Sequence, residues 1–241
     1  MKLIIIRHGD PDYEHDSLTE TGWHEAELLA QRMAKIPADY YYISCLGRAR
    51  DTASCTMKKL GREGEVFDWL QEFRGRALKP NHPEGRTIAW DWLPKDWTGE
   101  DRYFDTERWF EPEAMAQFEI KKEYDWVCGN LDALLEQHGY RRKDRYYEVL
   151  KPNHDTLVFF CHFGLECVLI SHLINVSPMV LWHGFCAAPS SVTTVYTEER
   201  EKGIASFRIS SFGDVSHLLN AGEEPSFHAR FCECFDDDTQ H

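Results

Sequence analysis

The run Leu3 to Ile6, one leucine and three isoleucines, is cut off at Arg7 and His8. An unbroken, β-branched apolar run suits a strand covered on both faces, the environment of a parallel sheet with helices on either side. A half-exposed strand would alternate apolar with polar residues. This short stretch therefore asks for a layer above it and a layer below it. It also delivers Arg7 and His8 where the strand gives out, the place an open α/β sheet uses for binding and catalysis.

The pattern that follows agrees with such a sheet. In "TGWHEAELLAQRMAKI", Trp23, Ala26, Ala30 and Met33 share one helical stripe, with Thr19 or Thr21 as the cap and Pro37 beyond the end. "YYYISC" reads as a second strand, "RARDTASCTMKKLG" as a second helix closed by Gly61, and "EVFDWL" as a third strand. Between Gln71 and Pro112 the regularity breaks. That stretch is too long for an ordinary connection and carries Trp90, Trp92, Trp97 and Trp109, so an inserted cap is expected at about 71–112. A long helix to about His138 follows from Ile120, Tyr124, Val127, Leu131 and Leu134, with Gly139 as its stop. "RRKDRYYEV" looks like a charged surface turn, "TLVFFCH" like a buried strand and "LECVLISHLIN" like a helix. "SSVTTVYT" and "GIASFRISSF" read as a hairpin at the sheet edge. The expectation is an α/β fold: a three-layer sandwich with a mainly parallel central sheet flanked by helices, in one unit over 1–220. The acidic residues 221–241 are expected to form a loosely ordered tail.

Charge and cysteine content limit the partners. A net charge of −14 over 241 residues opposes nucleic acid and anionic membranes as ligands. The first apolar run is too short for a signal-peptide core or a membrane span. Eight cysteines without a dense framework suit reduced thiols, so a cytoplasmic protein is expected, and a homo-oligomer is compatible with the sequence. Cys232 and Cys234, even with His228 or His241, lack a tetrahedral ligand set and read as an incidental pair. No metal or other cofactor is expected.

Strand ends then bring chemistry together. "SCLGRARDTA", "LQEF" and "FFCHFGLE" follow the second, third and late strands, and would carry Arg48, Glu72 and His162 toward Arg7 and His8. Forked guanidinium donors match phosphate oxygens and stabilise charge spread across them during transfer, so a phosphorylated ligand fits best. Each residue also has a plainer reading. Arg7 and His8 could cap a strand; His162 could be a hydrogen-bonded core histidine; Glu84 and Asp10 compete with Glu72 for the acid role. Arg48 at a helix start opposes the helix dipole, which a nearby anion would explain. Arg86, Arg102 and Arg108 in the insertion read as solvated ion pairs.

In these segments the chain resembles the histidine phosphatase superfamily, also called phosphoglycerate mutase-like. "RHG" after the first strand resembles its signature, "SLTETGWHEAELLAQRM" its first helix, and "SCLGRARDTA" its arginine segment. "LQE" resembles its acid segment, "CHFG" its second histidine and "FGDVSHL" its C-terminal strand end. The resemblance implies that His8 attacks phosphorus, that Arg7, Arg48 and His162 hold the phosphoryl oxygens, and that Glu72 moves the proton. No metal would be required. The sequence departs from the family pattern at Asp10, Pro11 and Glu14, where a hydroxyl residue and an asparagine are usual, and at Cys45 and Phe163. The missing asparagine favours hydrolysis of a small phosphorylated metabolite over a mutase reaction. A phospholigand sensor without turnover and a metal-dependent hydrolase are the alternatives of other classes.

Overall fold

The computed structural model describes residues 1–79, 86–228 and 230–237. Its main sheet contains β1 (Lys2–Arg7), β2 (Tyr40–Ser44), β3 (Glu65–Phe67), β4 (Tyr140–Lys143), β5 (Tyr146–Val149), β6 (Thr156–Cys161), β7 (Val192–Glu201) and β8 (Ile204–Asp214). Their order across the sheet is β3-β2-β6-β1-β7-β8-β5-β4. The principal helices are α1 (Glu20–Met33), α2 (Gly47–Leu60), α3 (Ile120–Gln137), α4 (Phe163–Ile174) and α5 (Pro178–Gly184).

The isoleucine run explains the layers. Successive side chains of a strand point to opposite faces, and here the alternation divides the apolar residues between two cores. Leu3 and Ile5 of β1, with Leu157 and Phe159 of β6, pack with residues of α3, α4 and α5. Ile4, Ile6, Val158 and Phe160 pack instead with Leu29 and Met33 of α1 and Ala53 of α2. Both strands are therefore apolar at every inner position.

The pairing is parallel from β3 through β2 and β6 to β1, and antiparallel from β1 onward. The mainly parallel sheet read from the sequence thus holds for the half that carries the site. Helix α2 supplies the long crossover between the parallel neighbours β2 and β3, and α1 leads from β1 past β6 to β2, whereas only two residues separate β7 from β8 and β4 from β5. Gly203 and Asp144, both at positive φ, turn those hairpins. The segment Arg141–Val149, expected as a surface turn, is mostly strand. It forms the outer hairpin, so β7 and β8 lie inside the sheet rather than at its edge. A charged outermost strand such as β4 discourages further edge pairing.

Helix α1 starts at the cap Thr19, whose hydroxyl accepts from the Gly22 amide at 3.1 Å. Its buried face contains Gly22, Ala26, Leu29, Ala30 and Met33, while Trp23 is exposed, contrary to the stripe expected from spacing. Gly22 faces inward because a Cβ there would lie 2.2 Å from the Asp10 carbonyl oxygen. Its lack of a side chain lets the helix press against the loop after His8.

The insertion packs firmly. Its strands Arg76–Leu78 and Arg86–Ile88 pair, and Trp90, Trp92, Trp97 and Trp109 are all buried. Trp109 meets Tyr124 and Trp182 edge to face with centroids 5.3 and 5.6 Å apart, arrangements that add to burial energy. His183 fastens α5 to the same segment, its Nδ1 donating to the Met179 carbonyl at 2.7 Å while Nε2 accepts from the Trp92 amide at 3.1 Å. Arg102 and Arg108 pair with Glu100 and Glu111, the surface role expected of them. Glu84 and His241 lie outside the described residues. No helix among the described residues is long and apolar enough to cross a membrane.

Candidate active site

Strand register sets the two histidines side by side. Arg7 pairs with Cys161 across β1 and β6, so His8 and His162 each lie one residue beyond that pair, with ring centroids 5.1 Å apart. The His8 amide continues the ladder to the Cys161 carbonyl at 3.0 Å. On the other side Phe160 pairs with Ile43, which brings Ser44 to His162, and the hydroxyl meets Nε2 at 2.8 Å.

His8 Nδ1 lies 2.7 Å from the carbonyl oxygen of Gly9. A carbonyl only accepts, so Nδ1 carries the proton and Nε2 carries the lone pair. Burial, then the cations of Arg7 and Arg48, push the imidazole well below its ordinary pKa, against the Gly9 hydrogen bond. A neutral ring with Nε2 free is the form that can act as a nucleophile. His162 is likewise held neutral by burial and its cationic neighbours.

The guanidinium groups are anchored at one nitrogen each. Arg7 Nη1 donates to the Ala187 carbonyl at 2.5 Å, and Arg48 Nη1 donates to Asp16 at 2.6 Å. Among the described residues, Nε of Arg7, Nε of Arg48 and Nδ1 of His162 are buried without a hydrogen-bond partner. The two guanidinium nitrogens are donors, and Nδ1 of His162 is a third when the Ser44 hydroxyl donates to Nε2; such orphaned donors are uncommon in a folded protein and suit an anion with several oxygens. Asp16 also accepts from the Gly47 amide at 2.7 Å, so this carboxylate, absent from the sequence reading, satisfies the start of α2 and offsets Arg48 there.

Glu72 comes in from β3 through the turn Asp68–Leu70. Its Oε1 accepts from the Phe73 and Leu165 amides at 2.8 and 3.0 Å, the latter in the first turn of α4. Burial nevertheless dominates these amides and the two arginines, and raises its pKa above the usual carboxylate range. Gly164 permits this placement. A Cβ there would stand 2.7 Å from Glu72 Oε1 and 2.5 Å from Trp90 Cη2. Arg7, Arg48 and Glu72 line a cavity of about 400 Å³ with Tyr13, Trp90, Phe163 and others. His8 and His162, 2% and 0% exposed, are not among its lining residues.

Of the acidic departures, Asp10 is turned away from this cavity and hydrogen-bonded by Thr19 at 2.7 Å, and Glu14 is exposed and does not line the cavity. Phe163 lines it, 6.0 Å from the Arg7 guanidinium. Behind the site Glu166 is 1% exposed, and burial raises its pKa to about 7 against Thr193 and Arg7. Its folded pKa exceeds the unfolded value, so the folded state holds the extra proton between about pH 4.5 and 7, and stability falls as pH rises through that window. Glu166→Gln is expected to remove a cost of up to about 3 kcal/mol at pH 8 and very little at pH 4. Calorimetric melting at the two pH values checks this.

Residues 3–119 match the histidine phosphatase superfamily (branch 1). A probable phosphatase of Schizosaccharomyces pombe is 25% identical over 240 residues, covering 90% of this chain and 95% of that protein. The fold is similar to that of a phosphoserine phosphatase mutant from Entamoeba histolytica in complex with phosphoserine, with a TM-score of 0.58 and 21% identity over 90% of this chain and 99% of that one. It is also similar to a mycobacterial glucosyl-3-phosphoglycerate phosphatase complexed with VO3, with a TM-score of 0.55 and 21% identity over 88% and 98%.

Proposed function

We propose that this chain, whose residues 3–119 match the histidine phosphatase superfamily (branch 1), hydrolyses a small phosphomonoester through a phosphohistidine at His8, without a metal ion. The observation that carries this reading is the set of buried, unpartnered donors on Arg7, Arg48 and His162 beside the neutral His8. Those donors would bind the non-bridging oxygens of the phosphoryl group and offset the charge that spreads over them in the transition state.

In the first step Nε2 forms a bond to phosphorus as the ester P–O bond breaks, and Glu72 gives its proton to the departing oxygen. The proton stays on Nδ1, donated to the Gly9 carbonyl, which steadies the positive ring. In the second step water attacks phosphorus, Glu72 takes the water proton, the N–P bond breaks, and His8 is again neutral. The raised pKa of Glu72 favours the acid form that the first step needs. The phosphoserine and glucosyl-3-phosphoglycerate phosphatases that share the fold support a small phosphorylated metabolite as the substrate class.

The test is release of phosphate from p-nitrophenyl phosphate and from alkyl phosphates with chelator present, with acid-labile phosphoenzyme trapped by rapid quenching. Turnover that disappears with chelator, or the absence of phosphoenzyme under burst conditions, would count against the reading. Glu72→Gln is expected to lower kcat by about 10²–10³ on alkyl phosphates and by less than about tenfold on p-nitrophenyl phosphate, whose leaving group needs little protonation. Unmodified Glu72 should also give alkyl phosphates an alkaline limb, because rising pH removes the proton the first step uses. The glutamine variant should lose that limb. Equal losses on both ester types would show that Glu72 does not protonate the leaving oxygen.

A further inference from the structure

The C-terminal segment returns across the molecule to the loop that follows the nucleophile. Asp10 is only 5% exposed, yet its carboxylate is fully engaged. Oδ2 accepts from the Thr19 hydroxyl at 2.7 Å, and Oδ1 accepts from the Ser226 hydroxyl and pairs with Nδ1 of His228. Ser226 and His228 also meet each other at 3.2 Å. The Asp10 amide donates to Glu25 Oε2 at 2.8 Å, and the Ser226 amide donates to the same carboxylate. Asp10 and Ser226 are therefore tied twice, although 216 positions separate them.

Just past this tie the chain forms part of the cavity. His228, Arg230 and Phe231 line it together with Tyr13, Trp90 and Phe163. On this wall His228 is held by Asp10, and Arg230 pairs with Glu233. Beside Asp91, which also lines the cavity, the surface left for a ligand beyond the phosphoryl site is largely aromatic, and aromatic rings offer contact area at low entropy cost.

We propose that Asp10 is a positioning residue that latches the C-terminal segment through Ser226 and His228, so that the segment walls the substrate cavity and favours phosphoesters whose alcohol part carries a flat apolar group. The proposal rests on the phosphatase reading for the phosphoryl site, and concerns only the part of the substrate beyond it. It also explains a carboxylate so near an anion site: three donors hold Asp10 away from the cavity.

Two phosphonates that cannot be hydrolysed test it in the full chain by calorimetry: methylphosphonate, which reports the phosphoryl site alone, and 1-naphthylmethylphosphonate, which also touches the wall. Asp10→Asn keeps the size of the side chain but leaves too few acceptors for three donors. It is expected to weaken the naphthyl ligand about tenfold and methylphosphonate less than about twofold. His228→Ala should do the same, and the double variant should be no worse than the worse single, because Asp10 acts through His228. Hydrogen exchange in the peptide covering 223–228 should quicken in Asp10→Asn while α1 stays protected. Equal weakening of both phosphonates, additive losses in the double variant, or unchanged exchange would each overturn the latch. Failure of the unaltered chain to bind methylphosphonate would instead overturn the phosphoryl site, and exchange would still decide whether Asp10 holds the segment.

Discussion

Replacement of His8 by alanine is expected to lower kcat by about four orders of magnitude or more and to abolish the trapped phosphoenzyme. The size follows from the role. Arg7, Arg48 and His162 remain to bind the phosphoryl group, but no other side chain among the described residues pairs a free ring nitrogen with a fixed proton on the opposite nitrogen at this strand end. His162 does not take over when the Ser44 hydroxyl donates to its Nε2, because Nδ1 then carries the ring proton and neither nitrogen offers a free lone pair. Binding of inorganic phosphate should survive the change, which separates loss of chemistry from loss of the site. Quench-flow with radiolabelled substrate and a phosphate titration make the comparison. A variant retaining more than about a tenth of the rate would move the nucleophile elsewhere.

Arg48→Ala is expected to cost about 10²–10³ in kcat/KM, the usual loss when a preorganised donor to a developing oxyanion is removed. Arg48→Lys should recover little of it. The existing geometry gives the reason: Nη1 is spent on Asp16 and Nε is the unpartnered donor, so a single ammonium would be captured by Asp16 and leave the ligand side bare. Kinetics of both variants with p-nitrophenyl phosphate, alongside melting curves, separate this from a folding defect. Equal activity of lysine and arginine at position 48 would mean that charge alone, rather than the forked donor set, does the work.

The parts of the site legible in the sequence are those that strand geometry supplies. The isoleucine run required cover on both faces, and the parallel register of β1 against β6 then put His8 beside His162. Arg48 was legible as a cation at a helix start, but its anion was sought in a ligand, while Asp16 already occupies the helix start. Asp16, Ser226 and His228 were hidden for a common reason. Their contacts depend on loops returning over long chain separations, which no local periodicity records. Misreadings elsewhere have equally local causes. Charges in Arg141–Val149 masked a hairpin, and Gly22, having no side chain to count as apolar, concealed which face of α1 is buried.

The tryptophans of the insertion have an evolutionary consequence. Trp90 flanks Gly164 beside the Glu72 carboxylate on one side and meets Trp182 on the other, and Trp109 is buried against the same Trp182. Variation that retunes substrate choice through this wall is therefore felt by the main core, and grafting a relative's insertion in its place would demand compensating changes in α4 and α5. Selection for a new substrate has fewer constraints at the exposed C-terminal end, where residues can be exchanged without repacking those indoles.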